Sequence, residues 1–127
     1  MSTPWNPAVL SALASAKEVD VTPIDPDGTR RASRTIWSIG VGSELYVRSW
    51  KGRGALWFRD ALATGRGELA VTGGTASQRV TFEEVDAAAT VQAQISAIFL
   101  TKYAADGYAA AMNEDEPLGA TLRLLPL

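Results

Sequence analysis

Neither cysteine nor histidine occurs anywhere in the 127 residues. Without cysteine there is no disulfide, thiolate nucleophile or sulfur-ligated metal, and cysteine usage says nothing of the redox compartment. Without histidine the commonest general base and the commonest metal ligand are missing together. Any catalysis must then use carboxylates, hydroxyls, arginines or a cofactor. No stretch approaches the roughly 18 apolar residues of a membrane span. The start, Met1-Ser2-Thr3-Pro4-Trp5, lacks the basic residues and apolar run of a signal peptide. A cytoplasmic protein with no membrane partner is expected. Repeats, low-complexity linkers and composition breaks are also lacking, so a single domain over residues 1–127 is expected, a length that buries a usable core. With 46% apolar and 20% charged residues, the composition is that of a folding chain and not a disordered one.

The hydrophobic pattern reads as helix, four or five strands, helix, strand. Asn6 as N-cap and Pro7 at the first helical position open an amphipathic helix that carries Val9, Leu10 and Leu13 on one face up to Lys17. Val19 and Val21 alternate with polar residues before the turn Asp25-Pro26-Asp27-Gly28. Thr35, Trp37, Ile39 and Val41 share one period-two face of a single strand, and Glu44 to Trp50 forms the next. Ala55 to Thr64 suits a short helix closed by Gly65. Glu68–Thr72 and Gln78–Val85 flank the turn Gly73-Gly74-Thr75 as a hairpin. From Asp86 as N-cap, Val91, Ile95, Ile98, Phe99 and Tyr103 recur at helical spacing. Gly107–Met112 adds a turn of helix, Asn113–Pro117 reads as an acidic loop and Thr121–Leu125 as a closing strand. Consecutive hairpins without βαβ spacing predict an α+β fold with an antiparallel sheet or barrel.

The net charge of −2 conceals an asymmetry. Residues 28–67 hold Arg30, Arg31, Arg34, Arg48, Lys51, Arg53, Arg59 and Arg66 against Glu44 and Asp60 alone, a net of +6. Four bases and twelve carboxylates elsewhere leave −8. Arginine forks pair with phosphate or carboxylate and stack on rings, and Trp37, Trp50 and Trp57 lie in the same segment. Taken singly, strand arginines are most often solvated and tryptophans most often core. Together they suit a small, planar, anionic ligand. The strand end Arg48-Ser49-Trp50-Lys51-Gly52-Arg53-Gly54 is the densest spot, since glycines let backbone N–H groups approach an anion. The loop has neither the P-loop nor the GxGxxG pattern.

Three stretches, Arg34-Thr35-Ile36-Trp37, Gly42-Ser43-Glu44-Leu45-Tyr46-Val47-Arg48-Ser49 and Trp57-Phe58-Arg59-Asp60-Ala61-Leu62, resemble a family of uncharacterised bacterial proteins. That family is related to the flavin and deazaflavin split β-barrels, which include pyridoxamine-phosphate oxidases and deazaflavin-dependent nitroreductases. The resemblance spans roughly residues 17–125, with its specific portion at 34–62. It implies a split β-barrel of about six strands with an N-terminal helix, a short helix between central strands and a longer helix before the last strand. It also implies a homodimer with the cofactor, FMN or a deazaflavin, at the interface. Thr35, Ile36 and Trp37 would lie near the ring and Arg48, Ser49, Lys51 and Arg53 near the phosphate, with Arg34, Trp57 and Arg59 completing the candidate site. The fuller basic and asparagine-containing motifs of the better-known oxidases and nitroreductases are not found, which leaves a retained fold without cofactor open.

Four functions follow. One is a flavin or deazaflavin oxidoreductase, in which the cofactor does the hydride chemistry; another is a non-catalytic carrier, sensor or interaction module using the same pocket. Nucleic-acid binding by the cationic segment is disfavoured by the acidic remainder and a pI near 5.1. Cofactor-free catalysis on an anionic substrate would fall to Asp60, Glu44 or Glu68, for which no paired-carboxylate spacing exists, so no catalytic residue is assigned. Glu83-Glu84-Asp86 and Asn113-Glu114-Asp115-Glu116 lack an EF-hand pattern, so no metal site is expected.

Overall fold

The structure is a computed structural model and describes residues 3–127. Helix α1 (Pro7–Ser15) begins as expected: the Asn6 carboxamide oxygen accepts from the backbone N–H groups of Ala8 and Val9, at 2.9 and 3.2 Å. It ends at Ser15, short of Lys17. Strands β1 (Val19–Pro23), β2 (Arg34–Ile36), β3 (Ser38–Val41) and β4 (Glu44–Arg48) follow, then helix α2 (Leu56–Thr64), the hairpin β5 (Arg66–Val71) and β6 (Ser77–Glu84), helix α3 (Val91–Lys102), helix α4 (Asp115–Leu118) and β7 (Thr121–Pro126).

The seven strands make one antiparallel sheet in the order β2-β1-β5-β6-β7-β4-β3. Its two outermost strands, β2 and β3, are consecutive in the chain and separated by Trp37 alone. One residue cannot span a flat sheet of this width, so the sheet must curl until its edges nearly meet. The fold is therefore α+β with a nearly closed barrel, as expected.

Among the described residues the strand count is seven because the stretch Thr35–Val41, read as one strand, breaks at Trp37. Ile36 pairs with Val19 on one edge while Ser38 pairs with Val47 on the other. The alternation of side chains continues across the break and conceals it from a period-two reading.

Leu45 and Val47 point into the barrel with Val19, Val21, Leu69, Val80, Leu122 and Leu124, where Leu13 of α1 and Trp57, Phe58 and Ala61 of α2 plug the interior. Ile39 and Tyr46 face outward and pack with Ile95 and Phe99 of α3 and with Tyr103, its C-cap, in a second cluster. These alternating faces fix the register.

Two further boundaries differ from expectation. Asp86 does not cap α3; its carboxylate accepts from the N–H of Ala88 in a preceding turn, and the helix starts at Val91 behind Thr90. The acidic segment expected as a loop forms α4, with Asp115 and Glu116 in its first turn, where they complement the helix dipole.

Candidate functional site

The seam of the barrel is a groove. Carried two steps past the last β3–β4 pair, Ser38 with Val47, the ladder would set Trp37 against Arg48 and then Ile36 against Ser49. Instead β2 turns away to pair with β1, while the chain beyond β4 stays bonded on the β7 side, the Ser49 N–H donating to the Ala120 carbonyl at 3.0 Å. The wedge between them is a cavity of about 680 Å³, lined by residues 33–37 on one side, 48–51 on the other, and by the start of α2 and by Tyr108 and Met112. That volume lies within the roughly 300–1,000 Å³ typical of small-ligand sites.

Eight of the ten candidate residues line it: Arg34, Thr35, Ile36, Trp37, Arg48, Ser49, Lys51 and Trp57. Arg53 and Arg59 do not. Arg53 turns to Glu84, with Nη1 2.7 Å from the carboxylate, and also donates to the Gly119 carbonyl. Arg59 is exposed on α2 outside the groove. Sequence reasoning missed Glu18, Ser33, Leu56, Tyr108 and Met112, and left Trp50 out of the candidate set although it belongs to the tryptophan cluster.

Ion pairing sorts the cationic segment. Arg30 pairs with Glu68 at 2.9 Å, and Arg31 bridges Asp25 and Asp60 at 2.8 and 2.9 Å. Asp60, weighed as a catalytic carboxylate, is thus occupied by Arg31. Arg34 and Lys51 face the groove, and among the described residues neither has an ion-pair partner.

Arg48 is a different case. It is fully buried, and all three guanidinium nitrogens donate within the protein: Nε to Thr121 Oγ1, Nη1 to Ser96 Oγ, the Met112 carbonyl and Asn113 Oδ1, and Nη2 to the carbonyl and side-chain oxygens of Gln92. It ties β4 to α3 and β7 from beneath the groove, so it has no N–H left for a ligand. Desolvation lowers its pKa to about 10, and it stays charged at neutral pH.

Ser49 is 1% exposed, lines the groove, and among the described residues its hydroxyl has no hydrogen-bond partner. A buried hydroxyl without a partner costs about 1–3 kcal/mol, a deficit that a ligand oxygen would remove. The N-terminus of α2, which lines the same groove through Ala55, Leu56 and Trp57, carries no side-chain cap, and the start of a helix is the end of its dipole that favours an anion. The walls are aromatic. Trp37 stacks on Tyr103 with centroids 3.9 Å apart and planes within 6°, and Trp50 meets Tyr108 edge-on at 5.9 Å. Trp50, Leu56 and Tyr108 at the mouth are 52%, 62% and 64% exposed.

A curled antiparallel sheet with a ligand-sized groove at its seam defines a split β-barrel. The solved structures agree. ChuZ from Campylobacter jejuni superposes with a TM-score of 0.67 at 11% identity over 94% of this chain, which spans half of ChuZ. HutZ, the heme storage protein of Vibrio cholerae, gives 0.65 at 12% over 98% of this chain and 92% of its own. An FMN-binding protein from Syntrophomonas wolfei gives 0.55 at 13% over 95% and 84%, and an F420 reductase 0.52 at 13% over 91% and 90%. No curated protein sequence matches. Within this class the chain belongs to the family described as an uncharacterized protein conserved in bacteria, DUF2255, whose profile matches residues 9–124.

Proposed function

We propose that this chain is a flavin- or deazaflavin-binding split-barrel protein that holds its cofactor in the seam groove, an arrangement suited to an oxidoreductase. The observation that carries the reading is one cavity that combines two unpaired cations, Arg34 and Lys51, with the unpartnered Ser49 hydroxyl and the aromatic walls of Trp37, Trp50 and Trp57. Such a set serves a flat ring with an anionic tail: rings stack on tryptophan, while Ser49, Lys51 and the start of α2 receive the phosphate. When bound, the cofactor supplies the hydride chemistry, and the chain's own groups bind it, orient it and exclude water. The FMN and F420 partners of similar folds support this choice. The heme of HutZ is less suited, because a chain without histidine or cysteine lacks the commonest heme-iron ligands.

A second copy of the chain, packed over Trp50, Leu56 and Tyr108, would close the mouth and remove these exposed apolar groups from water. The test is fluorescence titration with FMN and with riboflavin. FMN is expected to be quenched saturably at one per protomer and to bind at least tenfold tighter than riboflavin. Equal affinity removes the phosphate assignment, and no saturable quenching removes the cofactor reading.

A further inference from the structure

One buried and one half-buried cation stand behind the aromatic wall, and among the described residues neither has an ion-pair partner. Arg48 is fully buried, and its hydrogen-bond acceptors are all neutral: two hydroxyls, two carbonyls and two side-chain amides. Its guanidinium carbon lies 5.3 Å from the centre of the Phe99 ring. Lys102 is half-buried and donates from Nζ to the carbonyls of Ala14 and Ser38, at 2.7 and 2.6 Å, 5.1 Å from the centre of the Tyr103 ring. Burial lowers its pKa to about 8, and no neighbouring charge restores it, so it is still protonated at neutral pH. Phe99 and Tyr103 both pack on Trp37, at 6.4 and 3.9 Å between centroids, and Trp37 lines the groove.

An ion taken out of water without a counterion is costly, and its field is screened far less than that of an exposed charge. Among the described residues one carboxylate lines the groove, Glu18; it is solvent-exposed, its charge helps to raise the Tyr103 pKa, and it offsets part of the cationic field at the open side of the groove. A ring against Trp37 therefore lies in the field of two charges, Arg48 and Lys102, that water and salt screen less than they screen the exposed Arg34 and Lys51.

We propose, resting on the ring-in-groove reading above, that Arg48 and Lys102 act without touching the ligand and select a planar ring that itself carries negative charge. Of the two ring classes, this favours an 8-hydroxy-5-deazaflavin, whose phenolic proton leaves near neutral pH, over a flavin, whose ring is neutral there.

The experiment uses phosphate-free probes with the same ribityl chain, 8-hydroxy-5-deazariboflavin and riboflavin, so that phosphate contacts play no part. Visible spectra recorded between pH 5 and 8 in high salt follow the phenol. The bound phenol is expected to ionise about one pH unit below the free one, with binding at pH 7 about tenfold tighter than that of riboflavin. R48Q and K102Q are each expected to lose part of the shift while R48K keeps it. Circular dichroism checks folding, and K102Q with the wild type decides should R48Q not fold. Binding of both rings with an unshifted or raised phenol pKa overturns the charge selection alone. A shift that is intact in every folded charge-removing variant overturns the assignment to these residues. No binding of either ring overturns the cofactor reading as well.

Discussion

At the residue scale the groove divides its cations by what else they touch. Arg34 and Lys51 hold nothing in the fold, so R34A/K51A is expected to weaken FMN binding about tenfold or more, one or two charge-assisted hydrogen bonds' worth, with an unchanged melting temperature; isothermal titration and thermal melts check both halves. Arg48 is the converse. R48M strips partners from Gln92, Ser96, Asn113 and Thr121, and a loss of about 2–4 kcal/mol in chemical denaturation is expected. Lys102 adds a pH signature. An unfolded lysine keeps its proton to about its ordinary 10.5, whereas the folded one releases it near 8. Between these values the unfolded state binds more protons, so raising the pH stabilises the fold through this residue. Tyr103, pushed up to about 12 by burial, acts only above its ordinary value of 10, and in the opposite direction. From pH 8 to 10 the wild type is therefore expected to gain roughly 1 kcal/mol relative to K102Q in denaturant titrations. The sequence pointed to the cationic cluster but could not sort it. That Arg31 goes to Asp60 and Arg53 to Glu84 depends on contacts 29 and 31 residues apart, which no local pattern encodes.

At the element scale, local chemistry announced most of the chain. Asn6-Pro7 started α1 and Gly65 stopped α2, where it sits at φ +70° as the left-handed cap. The turn between the β5 and β6 strands falls at Gly73, φ +74°. Asp86 misled because an aspartate that caps an isolated turn looks the same in sequence as one that caps a helix. Trp37 hid the strand break because alternation survives it. The segment after β4 rests on Gly52, buried at φ +71°, where an added Cβ would lie 2.4 Å from Glu116 Cγ on α4. G52A is accordingly expected to cost about 1–3 kcal/mol and to loosen FMN binding, because Lys51 and Ser49 adjoin it. In the double variant G52A/E116A the clash is gone but the strain at φ remains, so partial recovery by thermal melt is the expected result.

At the scale of the whole molecule, the barrel explains why distant segments build one site. The β3–β4 register sets Trp37 beside Arg48, and curling brings β2, paired to β1 at the far edge, to the same seam. Tyr108 and Met112 reach the groove from the connection between α3 and β7, a placement set by tertiary packing alone. The exposed trio at the mouth leads to a further expectation: the chain sediments as a dimer, and L56K/Y108K sediments as a monomer that binds FMN more weakly. A monomeric wild type in analytical ultracentrifugation would discard the second copy.

The central claim, that a planar anionic ligand occupies the seam, is tested most directly by the four tryptophan indole N–H signals in an ¹⁵N-correlation spectrum recorded while FMN is added. Trp37, Trp50 and Trp57 line the groove, and Trp5 lines a separate cleft beside α1. The account predicts that the first three signals shift and saturate together while that of Trp5 stays in place. Shifts confined to Trp5, or none at all, would contradict it.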